Sequence, residues 1–342
     1  MSDEASLSLF QQQEANRRRT TWLVIGFVLF FAWLGFGGDL IVASLTASAG
    51  SESYHHTFPW MGVALTGLGA GLAAYAYRTG PEKVLWATGA RELTRPVTDG
   101  ERQLANVVDE MAIAAALPRP RVWIVPDADP NAFATGQDPP RANVAVTEGL
   151  LGTLNRDELQ AVIGHELGHI KSYDTRLMTT LAALVGAVAL ISDGVARSIF
   201  RGGIRVGRGR GGRGKNVGGL VIVLLVVWLI SWMLAPIITQ LLAMGVSRRR
   251  EFLADALSAQ FTRNPLALAS ALEKIEHANA PTKAIKRGAA HLCIADPLGR
   301  RLDNREGWLA DVFATHPPMG KRIARLKGMG YARLKREGAP PA

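Results

Sequence analysis

Two histidines and a glutamate in the middle of the chain have the spacing of a metal-dependent hydrolase. His165, Glu166 and His169 form the pattern H-E-x-x-H. On a helix, residues four apart project from one face about one turn apart, so His165 and His169 can share one zinc ion. Glu166 can lie beside the metal and accept a proton from a water that the zinc activates. Because so short a pattern also arises by chance, the surrounding sequence has to support it.

The residues around this pattern predict a helix that would present both imidazoles. Asn155 is a suitable N-cap, and Glu158 stands three residues later, as a capping box requires. Asp157 and Glu158 also place negative charge in the first turn, where the helix dipole favours it. We therefore expect an amphipathic helix from about Arg156. Its packing face should consist of Leu159, Val162, Ile163, Leu167 and Ile170.

A third ligand is expected downstream, because a catalytic zinc usually binds three protein side chains and one water. The chain has one cysteine, Cys293, which excludes a cysteine-rich zinc site and an internal disulfide. Glu251 and Asp255 are four residues apart on a predicted helix, so they share a face. Glu251 can complete the ligand set, and Asp255 can accept the second N–H of a histidine ligand. Alternatively, the two carboxylates only balance neighbouring arginines, but the H-E-x-x-H pattern favours the metal site.

The composition indicates a membrane protein with basic cytosolic surfaces. Of 342 residues 48% are hydrophobic, and the formal net charge is +10. A helical span needs about 20 apolar residues. The chain has four uncharged apolar runs, 20–38, 57–77, 177–192 and 216–247. The first run should end near Gly37–Asp39, and the third, with 16 residues, is the weakest candidate for a span.

The distribution of lysine and arginine predicts the orientation in the membrane. Arg17–Arg19 precede the first run and Arg78 follows the second, whereas the loop 49–57 contains neither residue type. The positive-inside rule therefore places the N-terminus and the chain after Arg78 in the cytosol. His169 lies shortly before the third run and Glu251 shortly after the fourth. If those two runs return the chain to the side it left, the site assembles at the cytosolic membrane face.

We expect the chain to be organised in four consecutive parts. A basic loop rich in arginine and glycine, 201–215, can interact with anionic lipid headgroups. It also resembles segments that contact RNA. Its charge opposes the positive-inside rule for a complete hairpin, so full crossing by the third and fourth runs stays open. The parts are an N-terminal transmembrane hairpin (1–80), a cytosolic catalytic part with the H-E-x-x-H helix (81–176), a second hydrophobic hairpin with the basic loop (177–247), and a C-terminal catalytic part with the third ligand (248–342).

A helix and a small sheet are predicted between the second run and the H-E-x-x-H helix. Residues 98–116 have helical spacing, and β-like segments at 121–125, 131–135 and 143–146 are separated by proline and glycine. An edge strand can bind an extended peptide through its backbone, and 131–136 is our candidate. An ordinary core strand fits the same residues equally well. The candidate substrate-binding residues are Asn131, Ala132, Phe133 and Ala134.

Two basic residues near the C-terminus are candidates for assisting the reaction. His316 precedes two prolines, and Arg322 lies in a basic helix predicted from about Met319, after a helix at 265–277. Either side chain can stabilise the oxyanion of a tetrahedral intermediate by hydrogen bonding or charge. A lone histidine before two prolines more often has a structural role.

Taken together, these segments resemble the HtpX membrane metalloproteases, bacterial heat-shock proteases related to the CAAX prenyl endopeptidases. The resemblance is carried by 131–136, 144–151, 165–170 with Asp174, 251–255 and 315–323. It implies four hydrophobic segments and a role in membrane-protein quality control. The arginine–glycine loop is longer and more basic than expected for the family. The implied residue roles are zinc ligands at His165, His169 and Glu251, a general base at Glu166, a partner of a ligand at Asp255, and transition-state or substrate-binding groups at His316 and Arg322.

We therefore expect a mainly α-helical integral membrane protein with a zincin-like metalloprotease domain, a small β-sheet and up to four transmembrane helices. One zinc ion per chain should serve an endopeptidase that cleaves misfolded or damaged membrane proteins, or unfolded polypeptides. The active site should face the cytosol at a bacterial inner membrane, with no nucleic acid as partner. One alternative is a catalytically silent membrane scaffold for exposed peptide strands, which would not need Glu166. Another is a CAAX-type processing peptidase, for which more membrane helices are expected.

Overall fold

The computed structural model describes residues 9–49, 58–185, 226, 230, 248–278, 292–294 and 317–337. Residues 174–185 are helical in addition to the named elements. The helices are α1 (Leu9–Ala49), α2 (Trp60–Ala87), α3 (Asp99–Ala115), α4 (Glu148–Thr153), α5 (Arg156–Lys171), α6 (Arg248–Thr262), α7 (Pro265–His277) and α8 (Met319–Glu337), and the strands are β1 (Arg91–Glu92), β2 (Arg121–Val125), β3 (Ala132–Thr135) and β4 (Asn143–Thr147).

The described residues divide into two compact units. The first comprises 9–20, 79–183 and the described residues from 248 onwards, so it contains the sheet and helices α3 to α8. The second comprises 21–78 together with the few described residues between 184 and 230. The first turns of α1 therefore belong to the unit that carries the H-E-x-x-H helix. The division into four consecutive parts stays a prediction.

Helix α1 is the one described helix that is long and apolar enough to cross a membrane, over Leu9–Ser44. It does not end near Gly37–Asp39, as the uncharged run suggested, but continues to Ala49. Asp39 is buried there and accepts hydrogen bonds from the backbone N–H groups of Met61 (3.3 Å) and Gly62 (2.6 Å). The carboxylate is tolerated because it satisfies donors at the first turn of α2. Residues 186–192 of the third uncharged run, nearly all of the fourth run and the loop 201–215 lie outside the described residues.

The four described strands form one sheet with the order β1-β2-β4-β3. Strands β2 and β4 are parallel, with Trp123 opposite Ala145, whereas β3 runs antiparallel to β4. The three predicted strands are confirmed to within one residue. The short β1 and the parallel pairing were not predicted, because neither follows from local alternation.

Helix α5 packs against β3, and helices α3 and α7 pack against α5, so that the sheet and these helices share one apolar core. The predicted packing face of α5 is confirmed, since all five of its apolar residues are buried. Helix α3 begins with a capping box between Thr98 and Glu101, and its left-handed C-cap, Ala116, has φ 52°. The fully buried residues of this core include Leu104, Val107, Val108, Val144, Val146, Ile163, Leu167, Leu268 and Leu272.

Candidate metal centre

A capping box at its N-terminus and hydrogen bonds to α7 fix the position of helix α5, which carries the two histidines in its last turns. The predicted capping box is present: Asn155 Oδ1 accepts the N–H of Glu158, and Glu158 Oε2 accepts the N–H of Asn155, both at 2.9 Å. Glu158 also accepts hydrogen bonds from Lys274 (2.8 Å) and Ser270 (2.7 Å) of α7. Burial alone would raise the pKa of Glu158, but these donors outweigh it and hold the pKa below its usual value.

Three ligand atoms converge at the C-terminal half of α5. His165 Nε2 lies 3.1 Å from His169 Nε2, and Glu251 oxygens lie 3.5 Å from each of these nitrogens. The two rings are nearly perpendicular, at 86°. All three ligand atoms are within 4.8 Å of one another. The structure thus brings together the three residues that the sequence predicted as ligands.

These separations fit a tetrahedral zinc ion. Ligand atoms about 2.1 Å from zinc, in tetrahedral arrangement, are about 3.4 Å apart, close to the observed 3.1 and 3.5 Å. Two imidazole nitrogens that face each other and a carboxylate form a site that attracts a cation. Burial alone would lower the pKa of His165, but contacts with Asp255 and Glu251 outweigh it and raise the pKa to about 9. The set of two histidines and one carboxylate suits a divalent metal such as zinc.

Two glycines on α5 let α6 approach closely enough to deliver Glu251. A Cβ on Gly168 would lie 3.2 Å from Ala254 Cα and 3.4 Å from Leu257 Cβ. A Cβ on Gly164, one turn earlier, would lie 3.2 Å from Ser258 Oγ. That hydroxyl donates to the carbonyl of Ala161 at 2.6 Å and locks the register of the two helices. A larger side chain at Gly168 would push the third ligand away from the histidines.

Glu166 lies beside the ligands with one oxygen available for chemistry. It is 1% exposed, and among the described residues its Oε1 has no hydrogen-bond partner. Burial, the largest influence on this carboxyl group, raises its pKa. Glu166 borders a cavity of about 20 Å³, which Ala134 and Leu292 also line. That volume accommodates a water molecule but no peptide.

His165 is supported by a charged pair behind it. Its Nδ1 lies 3.0 Å from Asp255 Oδ1. Arg322 donates to both oxygens of Asp255, from Nε (3.0 Å) and from Nη2 (2.7 Å). Burial would raise the pKa of Asp255, but the charge of Arg322 outweighs it and keeps the pKa below its usual value. Asp255 therefore stays ionised and sets the tautomer of His165.

His169 is supported by Asp174, two residues beyond the C-cap of α5. Its Nδ1 lies 3.3 Å from Asp174 Oδ2, which also accepts a hydrogen bond from Ser172 Oγ at 2.9 Å. The other oxygen of Asp174 accepts from Asn16 (2.7 Å) and Arg250 (3.2 Å). The sequence singled out Asp174 only as part of the family resemblance. Its position just past the helix was the available signal for its contact with His169.

Arg322 is fully buried and surrounded by protein acceptors. In addition to its two bonds with Asp255, it donates to the carbonyl oxygen of Ile294 at 3.0 Å and lies 3.2 Å from Glu251 Oε2. This arrangement favours support of the ligands over direct contact with a substrate. His316, the other candidate for stabilising an oxyanion, lies outside the described residues.

The predicted substrate strand is covered along its outer edge. Ala132, Phe133 and Ala134 are at most 3% exposed, and Asn131 is fully buried with its backbone bonded to Thr147. Ile294 donates its N–H to the carbonyl of Ala132 at 2.9 Å, and Cys293 pairs with Phe133 in antiparallel fashion. Residues 293 and 294 thus already pair with the edge at Ala132 and Phe133, where an extended peptide was expected to bind.

Comparison with known proteins places the site in a described family. Residues 99–330 match the model of peptidase family M48. A protein from Streptococcus gordonii named Protease HtpX homolog is 38% identical over 327 residues, which cover 94% of this chain and all of the relative. A protein of the same name from Thermoanaerobacter pseudethanolicus is 45% identical over 226 residues, which cover 66% of this chain and 71% of the relative. The crystal structure of S. mikatae Ste24p has a TM-score of 0.42 and 14% identity, and the match covers 94% of this chain and 66% of that one.

The family match extends over more than half of the chain, and it includes α5 and α6 with their ligands. The relatives, together with the apolar helix α1, support a membrane metalloprotease that acts on polypeptides. The resemblance inferred from the residues is thereby confirmed. This chain belongs to peptidase family M48, among the HtpX-type proteases.

Proposed function

We propose that this chain is a zinc endopeptidase in which His165, His169 and Glu251 bind the metal and Glu166 is the general base. One observation carries the proposal. The three ligand atoms converge within 4.8 Å beside the buried carboxylate of Glu166, one oxygen of which has no partner among the described residues. A scaffold that only bound peptides would have no use for a buried, unsatisfied carboxylate, which is costly to maintain.

The proposed mechanism divides the work between the metal and the protein. When bound, zinc supplies a Lewis acid that polarises a peptide carbonyl and makes a water molecule more acidic. Glu166 accepts a proton at Oε1 and later delivers it to the leaving amine. Burial raises the pKa of Glu166, whereas a bound zinc ion would favour the ionised carboxylate that acts as the base.

The charged groups behind the ligands keep the imidazoles in place throughout the reaction. Asp255 orients His165, and Asp174 orients His169. Arg322 balances the negative charge of Asp255 and Glu251, so the buried carboxylates do not repel each other. We propose that Arg322 acts in this way, and that His316 contributes to binding the substrate or the transition state.

The proposed location is a bacterial inner membrane, with the active site on the cytosolic side and more than one membrane pass. Helix α1 supplies a candidate span, and Arg17–Arg19 lie in its third turn, before the uncharged run begins. We propose misfolded or damaged membrane proteins and their unfolded cytosolic loops as substrates, because a membrane-anchored site meets them at high local concentration. Their backbone would lie along 131–136 after residues 292–294 have moved.

The proposal is tested with purified full-length protein in detergent, loaded with zinc, and a misfolded membrane protein as substrate. Glu166→Gln retains the shape of the side chain and removes the base, so cleavage should fall by at least about 100-fold while zinc content is unchanged. Glu148→Gln, on the exposed first turn of α4, is the matched control and should cleave like the wild type. Equal cleavage by Glu166→Gln and the wild type would exclude Glu166 as the base.

The same preparation tests the choice of substrate. An unfolded soluble protein and a misfolded membrane protein are offered together to protein reconstituted in lipid vesicles. Faster loss of the membrane substrate supports action at the membrane surface. Equal rates for both would leave the endopeptidase assignment intact and remove membrane-protein quality control as its purpose.

A further inference from the structure

The first turns of α1 pack against the end of the H-E-x-x-H helix. Gln13 Nε2 donates to the carbonyl of Lys171 at 2.7 Å. Asn16 Nδ2 donates to the carbonyl of Ser172 at 2.9 Å, and the guanidinium of Arg17 lies 4.2 Å from the centre of the Tyr173 ring. These contacts lie within one compact unit, which includes the start of α1. The residues before the first membrane run therefore form part of the catalytic unit.

The backbone at the end of α5 explains part of this contact. Tyr173 adopts a left-handed conformation with φ 60°, so the chain turns sharply after the C-cap Ser172. Carbonyl groups at a helix C-terminus lack partners within the helix and need donors from elsewhere. Gln13 and Asn16 supply two such donors, and a purely structural role would account for both.

Asn16 makes a second contact that a structural role does not require. Its amide also donates to Asp174 Oδ1, at 2.7 Å, and the side chain is only 1% exposed. The two hydrogens of this amide group thus have one acceptor each. The second oxygen of the same carboxylate lies 3.3 Å from Nδ1 of His169. A short chain of contacts therefore runs from the base of the first membrane helix to a metal ligand.

Asn16 is suited to orienting Asp174. Arg250 also donates to Oδ1, and Ser172 donates to Oδ2, so three donors hold the carboxylate. Its Oδ2 can accept a further hydrogen bond, and this oxygen faces His169 Nδ1. Asn16 is the member of this set that comes from α1, and as a neutral donor it stabilises the carboxylate without competing with Arg250 for charge. Without it, Oδ1 would lose its shortest contact and Asp174 could rotate away from the imidazole.

We propose that Asn16 is a positioning residue for the metal ligand His169, acting through Asp174. The start of the first membrane helix is then part of the metal site as well as an anchor. The proposal rests on the zinc site described above, because it assigns a supporting residue to that site.

The test measures metal affinity directly, without relying on catalysis. Full-length protein in detergent is stripped of metal, and its affinity for zinc is determined by competition with a chromophoric chelator. Asn16→Ala should weaken zinc binding about tenfold, the lower end of the range for groups that support metal ligands. Gln13→Ala is the matched control, because it removes a donor from the same helix end but touches neither Asp174 nor His169. It should leave zinc affinity within about twofold of the wild type.

Two further measurements separate positioning from loss of fold. The absorption spectrum of the cobalt-loaded protein reports ligand geometry and should change in Asn16→Ala but not in Gln13→Ala. Asn16→Gln, which retains the amide on a longer side chain, should restore part of the affinity if the donor is what matters. If Asn16→Ala does not fold, the comparison of Asn16→Gln with Gln13→Ala decides the question in the same assays.

The outcomes distinguish this proposal from the one it depends on. Equal zinc affinity and equal cobalt spectra for Asn16→Ala and Gln13→Ala would overturn the role of Asn16 while leaving the metal site intact. Failure of the wild type itself to bind zinc, or binding unaffected by His169→Ala, would overturn the proposed site instead. A loss confined to Asn16→Ala, with partial recovery in Asn16→Gln, supports the assignment.

Discussion

The two histidine ligands share one helix but are supported in different ways. His165 is fully buried, and both oxygens of its partner Asp255 accept hydrogen bonds from the guanidinium of Arg322. The side chain of His169 is 16% exposed, and its partner Asp174 is held by an amide, a hydroxyl and a single arginine nitrogen. The first arrangement depends on one close, two-pronged buried ion pair. The second combines a longer buried ion pair, with Arg250, and neutral contacts from Asn16 and Ser172. Substitutions should therefore have unequal effects on the two sides.

The largest expected effect comes from Arg322→Met on the His165 side. It leaves Asp255 and Glu251 as buried carboxylates without their cation, and removal of one partner from such a pair costs about 3–5 kcal/mol. Denaturant titration of the metal-free protein should show that loss in the free energy of unfolding. Zinc should reduce it, because the ion restores positive charge between the ligands.

Arg325→Met is the control for that change. Arg325 lies on the same helix, is exposed, and stacks over Phe252 at 5.1 Å. Its substitution should change the free energy of unfolding by about 0.5 kcal/mol or less. Similar losses for the two variants would show that Arg322 contributes only packing, and the contrast between the two sides would disappear.

Asp255→Asn should have the next largest effect, expressed in metal affinity. The amide preserves the shape of the side chain but removes the charge that fixes the tautomer of His165. We expect zinc affinity to fall about 100-fold, the upper end of the range for such partners. The measurement is chelator competition, with Asp157→Asn in the exposed first turn of α5 as control. A loss no greater than that of the control would remove Asp255 from the metal site.

Asp174→Asn should have a smaller effect on the same quantity. Asp174 lies farther from its histidine than Asp255 does, at 3.3 Å against 3.0 Å, and His169 is the ligand that is partly exposed. Solvent can replace part of the lost interaction, so we expect zinc affinity to fall about 30-fold, between the losses expected for Asn16→Ala and for Asp255→Asn. A loss larger than that of Asp255→Asn would reverse the proposed ranking of the two sides.

Local patterns in the sequence were sufficient for most elements of the catalytic unit. The capping box at Asn155 and Glu158 and the apolar face of α5 predicted that helix and its start within a residue. Spacing on one helix face placed Glu251 and Asp255 together, and the structure brings both to the histidines. Capping residues and periodicity indicate where a helix begins and which residues lie on one of its faces. The need of a metal for three ligands then indicates which helix faces must contact each other.

Contacts between distant segments could not be predicted in this way. Nothing near Asn16 indicates that its amide reaches Asp174, because the two residues belong to separate elements far apart in the chain. No helix was predicted before the first uncharged run, although α1 begins at Leu9. Likewise, no alternation of residues shows that 292–294 cover the edge of β3. These features depend on packing of the whole unit.

The position of Arg322 on the last described helix has a consequence for biosynthesis. A ribosome produces the two histidines first, Glu251 after the third and fourth apolar runs, and Arg322 after all of them. Until α8 docks, Asp255 and Glu251 lack the cation that offsets their repulsion. A nascent or truncated chain that lacks α8 therefore carries a site without Arg322, and the charge balance around the ligands is complete only after that helix has been made and has docked.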